Sequence, residues 1–415
     1  MLVLGLVIRI ALALFTGHPY DMFLWAYSAR LFYESKVFDI YFPTLPLLYY
    51  LQLASYSLYA FLRVLGMQDF RFLFVPNYMI EGVFLKLPMI LADLGTFLVI
   101  TRFTRKLLYG ALFYFNPFII YLSAVWGMYD SVMMLPLVYG MILLSQDEQR
   151  QATIYFGLSG LAKLFGFIPF AMMFLDEFGR RRWRLIAFQL AVLGLLAGAM
   201  FAPLSSLNLQ SFFVGLIYRM VGLGGARFPV WNIAVLSGGI FFFGANILVG
   251  LVIAIVLILF LIQRRTSFSL FMPTLRWSLV AAVLLNIFSQ AQPQWISWVI
   301  PLSVLYGSMT RREGLVYYSY FYGVAATLVT TLMLQGIGFL FIGLPLILLP
   351  GLELFQNSIA VYATTVLSMQ IVLLWRVFRP DSSFGLRDAA VVSLACAASY
   401  LLFTVFQLLP QIILY

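Results

Sequence analysis

The chain has 415 residues, of which 63% are hydrophobic, 18% aromatic and only 10% charged, and its mean hydropathy is +1.00. That composition excludes an ordinary soluble globular protein and reads as a polytopic membrane chain, so the net charge of +10 speaks of membrane topology, with no nucleic-acid partner expected. The single cysteine, Cys396, lies inside an apolar run, which excludes an intrachain disulfide and a thiolate metal site.

Apolar runs of membrane length recur from end to end, and each is expected as a helix because in lipid only a helix satisfies its own backbone. The first, LVLGLVIRIALALF, has neither a basic leader nor a small-x-small cleavage site and is expected to be a retained helix. It runs into GHPYD, which sets Asp21 beside His18, the chain's one histidine. In the following DMFLWAYSARLFYES, Met22, Trp25 and Phe32 fall on one side of a helix, while Ser28, Arg30 and Glu34 lean to another. Such a helix is expected to lie along the membrane surface, in the first outer loop. The segment FPTLPLLYYLQLASYSLYAF is expected to return through the membrane, and parity then asks for one more crossing, or a re-entrant piece, between about Phe70 and Phe84.

From there on, basic clusters at 102–106, 179–184, 263–265, 310–312 and 375–380 mark the cytoplasmic side. The connections at 125–131, 202–232 and 289–295 then face out. Within ATIYFGLSGLAKLFGFIPFAMMF, Lys163, the glycines and Pro169 divide an apolar stretch into two short halves, an arrangement tolerated only against protein or a wet cavity. The expectation is one all-α integral-membrane domain over residues 1–415, a polytopic bundle of about 11–13 transmembrane helices.

In so acid-poor a chain, with 15 Asp and Glu, each acid within or beside a membrane helix is informative, because burying it is costly unless it faces protein or water. Asp21 sits at the mouth of the first helix, where it either serves chemistry or favours the next helix through its macrodipole. Asp130, in VWGMYDS, sits in a polar, aromatic corner with Trp126; an aromatic belt and a helix cap give the same pattern. Asp93 lies deepest, and either acts on a substrate or pairs with Lys86, Lys163 or Arg9. Lys86, Arg219 and Arg227 face outward on this topology and suit a phosphate at headgroup level, or snorkel at the interface. One histidine excludes a zinc site built on several, and there is no P-loop and no dinucleotide fingerprint.

Taken together, Arg9 in the first helix, the PYD exit, WAYSARLF and YFPTLPLLYYL resemble the GT-C class of integral-membrane glycosyltransferases. KLPMILADLGTFLV, FNPFIIYLSAVWGMYDSV, GLSGLAKLFGFIPF and QAQPQWISWVIPL are similar to that class in order. The nearest group is the mannosyltransferases related to the second mannosyltransferase of glycosylphosphatidylinositol assembly, in a prokaryotic or archaeal form. Met128 stands where the group's pattern has Gln, and no Asp-x-Asp follows the first helix.

The resemblance implies a GT-C-like core over 1–310 with additional transmembrane helices over 311–415. It implies inverting transfer of a monosaccharide, mannose expected, from a dolichyl- or polyprenyl-phosphate donor to a glycan, glycolipid or protein acceptor at the extracytoplasmic face of the plasma membrane. Asp21 would be the general base. Tyr20, His18, Trp126, Asp130, Asp93 and Gln294 are expected around the sugar and acceptor, and Lys86, Arg219 and Arg227 at the donor phosphate. No cofactor is expected, a divalent metal being the less favoured alternative. The competing reading is a secondary transporter or flippase for a lipid or lipid-linked sugar, because broken helices and buried acids are features that transporters share.

Overall fold

The computed structural model describes residues 1–35, 46–71, 77–202, 241–288, 293–333 and 366–379. Among them the fold is all-α, with one isolated bridge between Arg71 and Tyr78 as the only extended pairing. The first helices are α1 (Leu2–Phe15), α2 (Pro19–Ser35), α3 (Pro46–Val64) and α4 (Met79–Thr104). Then come α5 (Leu107–Tyr114) and α6 (Pro117–Ile120), the latter continuing into a π-helical turn over Tyr121–Trp126. Next are α7 (Asp130–Ser145), α8 (Gln149–Ala162), α9 (Phe167–Gly179) and α10 (Trp183–Phe201). The remaining helices are α11 (Phe241–Thr266), α12 (Phe271–Phe288), α13 (Ile296–Met309), α14 (Glu313–Met333) and α15 (Val366–Phe378).

Helices α4 and α10 each have the length and apolarity of a membrane crossing, and α5 with α6 has it as one span bent by 49°. The bend has a local cause. Asn116 caps α6, its Oδ1 accepting from the Phe118 amide at 3.0 Å, and Pro117 supplies no donor to the preceding turn. Among the described residues, Leu2–Phe15, Asp130–Ser145, Phe271–Ile287, Ile296–Met309 and Val366–Phe378 are further apolar helices, each shorter than these spans.

One end carries the tight turns. Arg105, Asp147, Arg181 and Arg311 are the positive-φ non-glycine residues among those described, at 55°, 63°, 57° and 57°, and each closes a short helix–helix turn there. The basic clusters gather at this end because lysine and arginine keep their charges in water beside the last carbonyls of the helices. Arg264 reaches Asp176 at 3.0 Å, tying α11 to α9. Lys106 and Tyr109 hydrogen-bond Glu313 and hold its carboxyl below the usual range.

Two expectations are corrected at the opposite end. The apolar stretch around Lys163 is a helical hairpin, not one broken helix. Its arms α8 and α9 fold back so closely that a Cβ on Gly166 would lie 2.5 Å from the Gly160 nitrogen, with Lys163 extended at the tip (φ −159°, ψ 137°). Nor does α3 cross the membrane. The Tyr50 hydroxyl donates to the Met200 carbonyl at the far end of α10, and Ser55 donates to the Phe84 carbonyl in the second turn of α4. Past α3, the Asp69 carboxylate accepts from the Ile80 and Glu81 amides, both at 3.0 Å, capping α4. Both ends of α3 thus stay at the α4 N-terminus, and no extra crossing is needed before α4.

Helix α2 forms the same outer layer. Arg30 binds Glu81 of α4 through both carboxylate oxygens at 2.7 Å, and Asn77 donates to the Met22 carbonyl at 3.2 Å. Glu81 is fully buried, so the bidentate pair fixes where α2 lies across the end of the bundle.

Candidate active site

The end opposite the basic turns holds two linked clusters. In the first, the π-turn delivers Trp126 to α2. Its indole N–H donates to Asp21 Oδ2 at 2.7 Å, and its ring stacks on His18 with centroids 5.1 Å apart. His18 Nδ1 lies 2.9 Å from the same oxygen, while the Asp21 amide approaches Nδ1 from 3.3 Å. With its proton on Nδ1 the imidazole donates to the carboxylate; without it, Nδ1 accepts from the amide. Both side-chain contacts use Oδ2, so Oδ1 has no protein partner in the described structure. Asp21 is 14% exposed, which leaves a carboxylate fixed in direction and open to a molecule arriving from outside.

The local sequence explains the placement. A π-turn widens the helix by a residue and marks functional sites in other proteins. Here Gly127 ends it at φ 90°, and a Cβ there would lie 2.5 Å from Met22 Sδ of α2. A side chain at 127 would be strained at that φ and would force the Met22 side chain to shift.

The second cluster centres on Asp130, the first residue of α7. It is fully buried. Its Oδ1 accepts from Lys163 Nζ at 2.6 Å and from the Trp298 indole N–H, while Oδ2 has no protein partner in the described structure. Around the ammonium stand Tyr129 and Trp298, each ring centroid 5.1 Å away. Trp298 also stacks with Phe165 at 4.5 Å and with Trp295 at 5.0 Å. Tyr129 also meets Trp25 of α2 edge-on at 5.4 Å, so this ring joins the two clusters. Gln294 is buried in the short 3-10 turn beside Trp295.

Other expected site residues lie elsewhere. Lys86 is completely buried. Its ammonium donates to the carbonyls of Thr16 at 2.6 Å, Ala124 at 2.8 Å and Val125 at 3.2 Å, with the Thr16 hydroxyl at 3.2 Å. These are carbonyls left over at the end of α1 and in the π-turn. A cation saturated by them has no face for a phosphate, and Lys86 instead binds the π-turn to α1. Asp93 is engaged within the bundle. It pairs with Arg9 at 3.1 Å, both side chains fully buried, and Arg9 also donates to the Tyr114 carbonyl at 2.6 Å and covers that ring at 4.0 Å. Of the two acids that sequence placed near the sugar, Asp93 is a bundle tie and Asp130 lies in the outer cluster. Tyr20 belongs to α2, but its side chain lies outside the described structure, as do Arg219 and Arg227 altogether.

Sequence reasoning did not give Lys163, Tyr129 and Trp298 site roles. The signal for Lys163 is a lysine at a break between two apolar halves, whereas nothing local sets Tyr129 and Trp298 apart from the chain's many other aromatics. Among the described residues no three His, Cys, Asp or Glu side chains gather as a metal set.

The fold is GT-C-like. A structure of ArnT from Cupriavidus metallidurans bound to undecaprenyl phosphate is similar over 97% of this chain and 75% of that one, with a TM-score of 0.51 and 16% identity. At that identity the likeness is one of fold. No family model and no curated protein matches the chain.

Proposed function

We propose that this chain is a membrane glycosyltransferase that moves a monosaccharide, with mannose the sugar to test first, from a dolichyl- or polyprenyl-phosphate donor to a hydroxyl of a glycan, glycolipid or protein. The observation that carries the reading is the Asp21 carboxylate, aimed by Trp126 and His18 at the end of the bundle away from the basic turns. The fold it shares with a protein bound to undecaprenyl phosphate supports a lipid-phosphate donor.

The acceptor oxygen attacks the anomeric carbon from the face opposite the phosphate, so configuration inverts. The bond from that carbon to the phosphate oxygen breaks, and the lipid phosphate leaves with both electrons. The acceptor proton passes to Asp21 Oδ1. General-base help of this kind contributes about 10²- to 10⁴-fold. The reaction faces the extracytoplasmic side, because basic turns mark the cytoplasmic one.

The test is transfer of radiolabelled sugar from polyprenyl-phosphate-mannose, and from other polyprenyl-phosphate sugars, to glycolipid and glycoprotein acceptors in proteoliposomes. The wild type is expected to transfer, and Asp21→Asn to lose about 10²- to 10⁴-fold while folding normally. Undiminished transfer by Asp21→Asn would overturn the base. No transfer from any such donor would overturn the enzyme and favour transport.

A further inference from the structure

The leaving phosphate needs a cation, and Lys86 is closed to it. Lys163 is placed differently. It stands at the tip of the α8–α9 hairpin with its side chain 15% exposed. An ammonium carries three N–H donors, and in the described structure Lys163 donates to one acceptor, Asp130. The flanking Tyr129 and Trp298 rings offer faces that tolerate a cation but accept no strong hydrogen bond. The cation is thus held in position, largely stripped of water, with donors left over.

Asp130 opposes an incoming anion, yet two features weaken its field. Its Oδ1 is engaged by the Trp298 N–H as well as by Lys163, and it sits at the positive end of α7. Its main effect is to aim the ammonium.

A second observation concerns what the phosphate is attached to. Beyond the tip, α9 descends along a trough of about 360 Å³ shared with α10 and α11. Phe170, Ala171, Phe174, Leu175, Leu190 and Leu257 line it, without a polar side chain. It begins in the first turn of α9. A molecule with an anionic head and a long apolar chain uses both features; free phosphate uses only the first.

We infer that Lys163, aimed by Asp130, binds the phosphate of a polyprenyl-phosphate ligand whose isoprenoid chain runs down the α9–α10–α11 trough. This rests on the reading of the chain as a polyprenyl-phosphate-dependent transferase. During transfer the Lys163 ammonium donates to the phosphate oxygens as their charge grows, the stabilisation that counts most in a dry site.

Binding without turnover tests it. The full chain in nanodiscs is titrated with undecaprenyl phosphate, undecaprenol and inorganic phosphate, and followed by native mass spectrometry and tryptophan fluorescence. Wild type is expected to bind undecaprenyl phosphate far more tightly than either comparator. Lys163→Met is expected to weaken it by about tenfold to a hundredfold, the scale of a hydrogen bond to a charged group, and Lys163→Arg by only a few-fold. Ala171→Trp, which fills the trough, is expected to weaken undecaprenyl phosphate and leave inorganic phosphate unchanged. Lys163→Gln, which keeps a donor to Asp130 and removes the charge, replaces the Met variant should the latter not fold. Equal binding by wild type and the charge-removed variant would overturn the inference and leave the transferase reading standing. If the wild type does not bind undecaprenyl phosphate at all, that reading falls and takes the inference with it. Tighter binding of inorganic phosphate than of the lipid would leave Lys163 an anion site but overturn the trough.

Discussion

Trp126 makes the sharpest single-residue case. Its indole N–H donates to Asp21 Oδ2, leaving Oδ1 for the proposed acceptor, and its ring stacks on His18. Trp126→Phe keeps the stack and removes the donor. Transfer by this variant is expected to fall by about tenfold to a hundredfold, the usual cost of losing a hydrogen bond to a charged group. On the proposed mechanism the loss falls in kcat with little change in KM, because the bond would orient the base without touching the donor. Steady-state kinetics in proteoliposomes checks both. A change in KM alone would mean that Trp126 contacts substrate instead of aiming Asp21.

At the scale of elements, the outer end depends on helices that stop early. The π-turn and the end of α1 leave backbone carbonyls without partners in their own helix, and buried carbonyls must find donors elsewhere. Lys86 serves three of them. Arg9 performs a similar task one level deeper, joining α1 to Asp93 of α4 and to Tyr114 at the end of α5. Because that ion pair is wholly buried, removing one partner strands the other. Arg9→Met alone is expected to destabilise by about 3–5 kcal/mol, whereas Arg9→Met with Asp93→Leu is expected to recover most of the loss. Unfolding in detergent by sodium dodecyl sulfate titration measures the difference. Transfer by the double variant is expected to continue, since neither side chain reaches the site. Abolished transfer in a well-folded double variant would return Asp93 to the chemistry.

For the whole molecule, the prediction concerns orientation. The tight turns at Arg105, Asp147, Arg181 and Arg311 share one end, and Asp21, Asp130 and Lys163 share the other. In a variant with Cys396 replaced by Ala, Arg181→Cys and Arg311→Cys are expected to react with a membrane-impermeant maleimide only from the cytoplasmic side. Ser35→Cys, exposed at the end of α2, is expected to react only from the opposite side. Labelling of all three positions from one side would break the assignment of ends. Labelling with sidedness reversed would move the proposed chemistry to the cytoplasm.

The sequence alone determined the solvent and the class of fold. Its hydropathy leaves no water-soluble alternative, its basic clusters chose one end of the bundle, and the pairing of His18 with Asp21, three residues apart, was legible because neighbours in a chain stay neighbours. It also singled out Trp126 and Asp130, where polar residues interrupt an apolar run, but as one corner, whereas Trp126 meets Asp21 and Asp130 meets Lys163 and Trp298. Only the tertiary structure decided which charges meet. Arg9 and Asp93 are 84 residues apart and Lys163 and Asp130 are 33 apart, and nothing local says that Lys86 turns inward to carbonyls while Lys163 stands at the rim. Likewise, composition cannot tell a crossing helix from α3, or a broken helix from the α8–α9 hairpin. Helical periodicity fixes which face of a segment is apolar, but the packing of one helix on another fixes where that face goes.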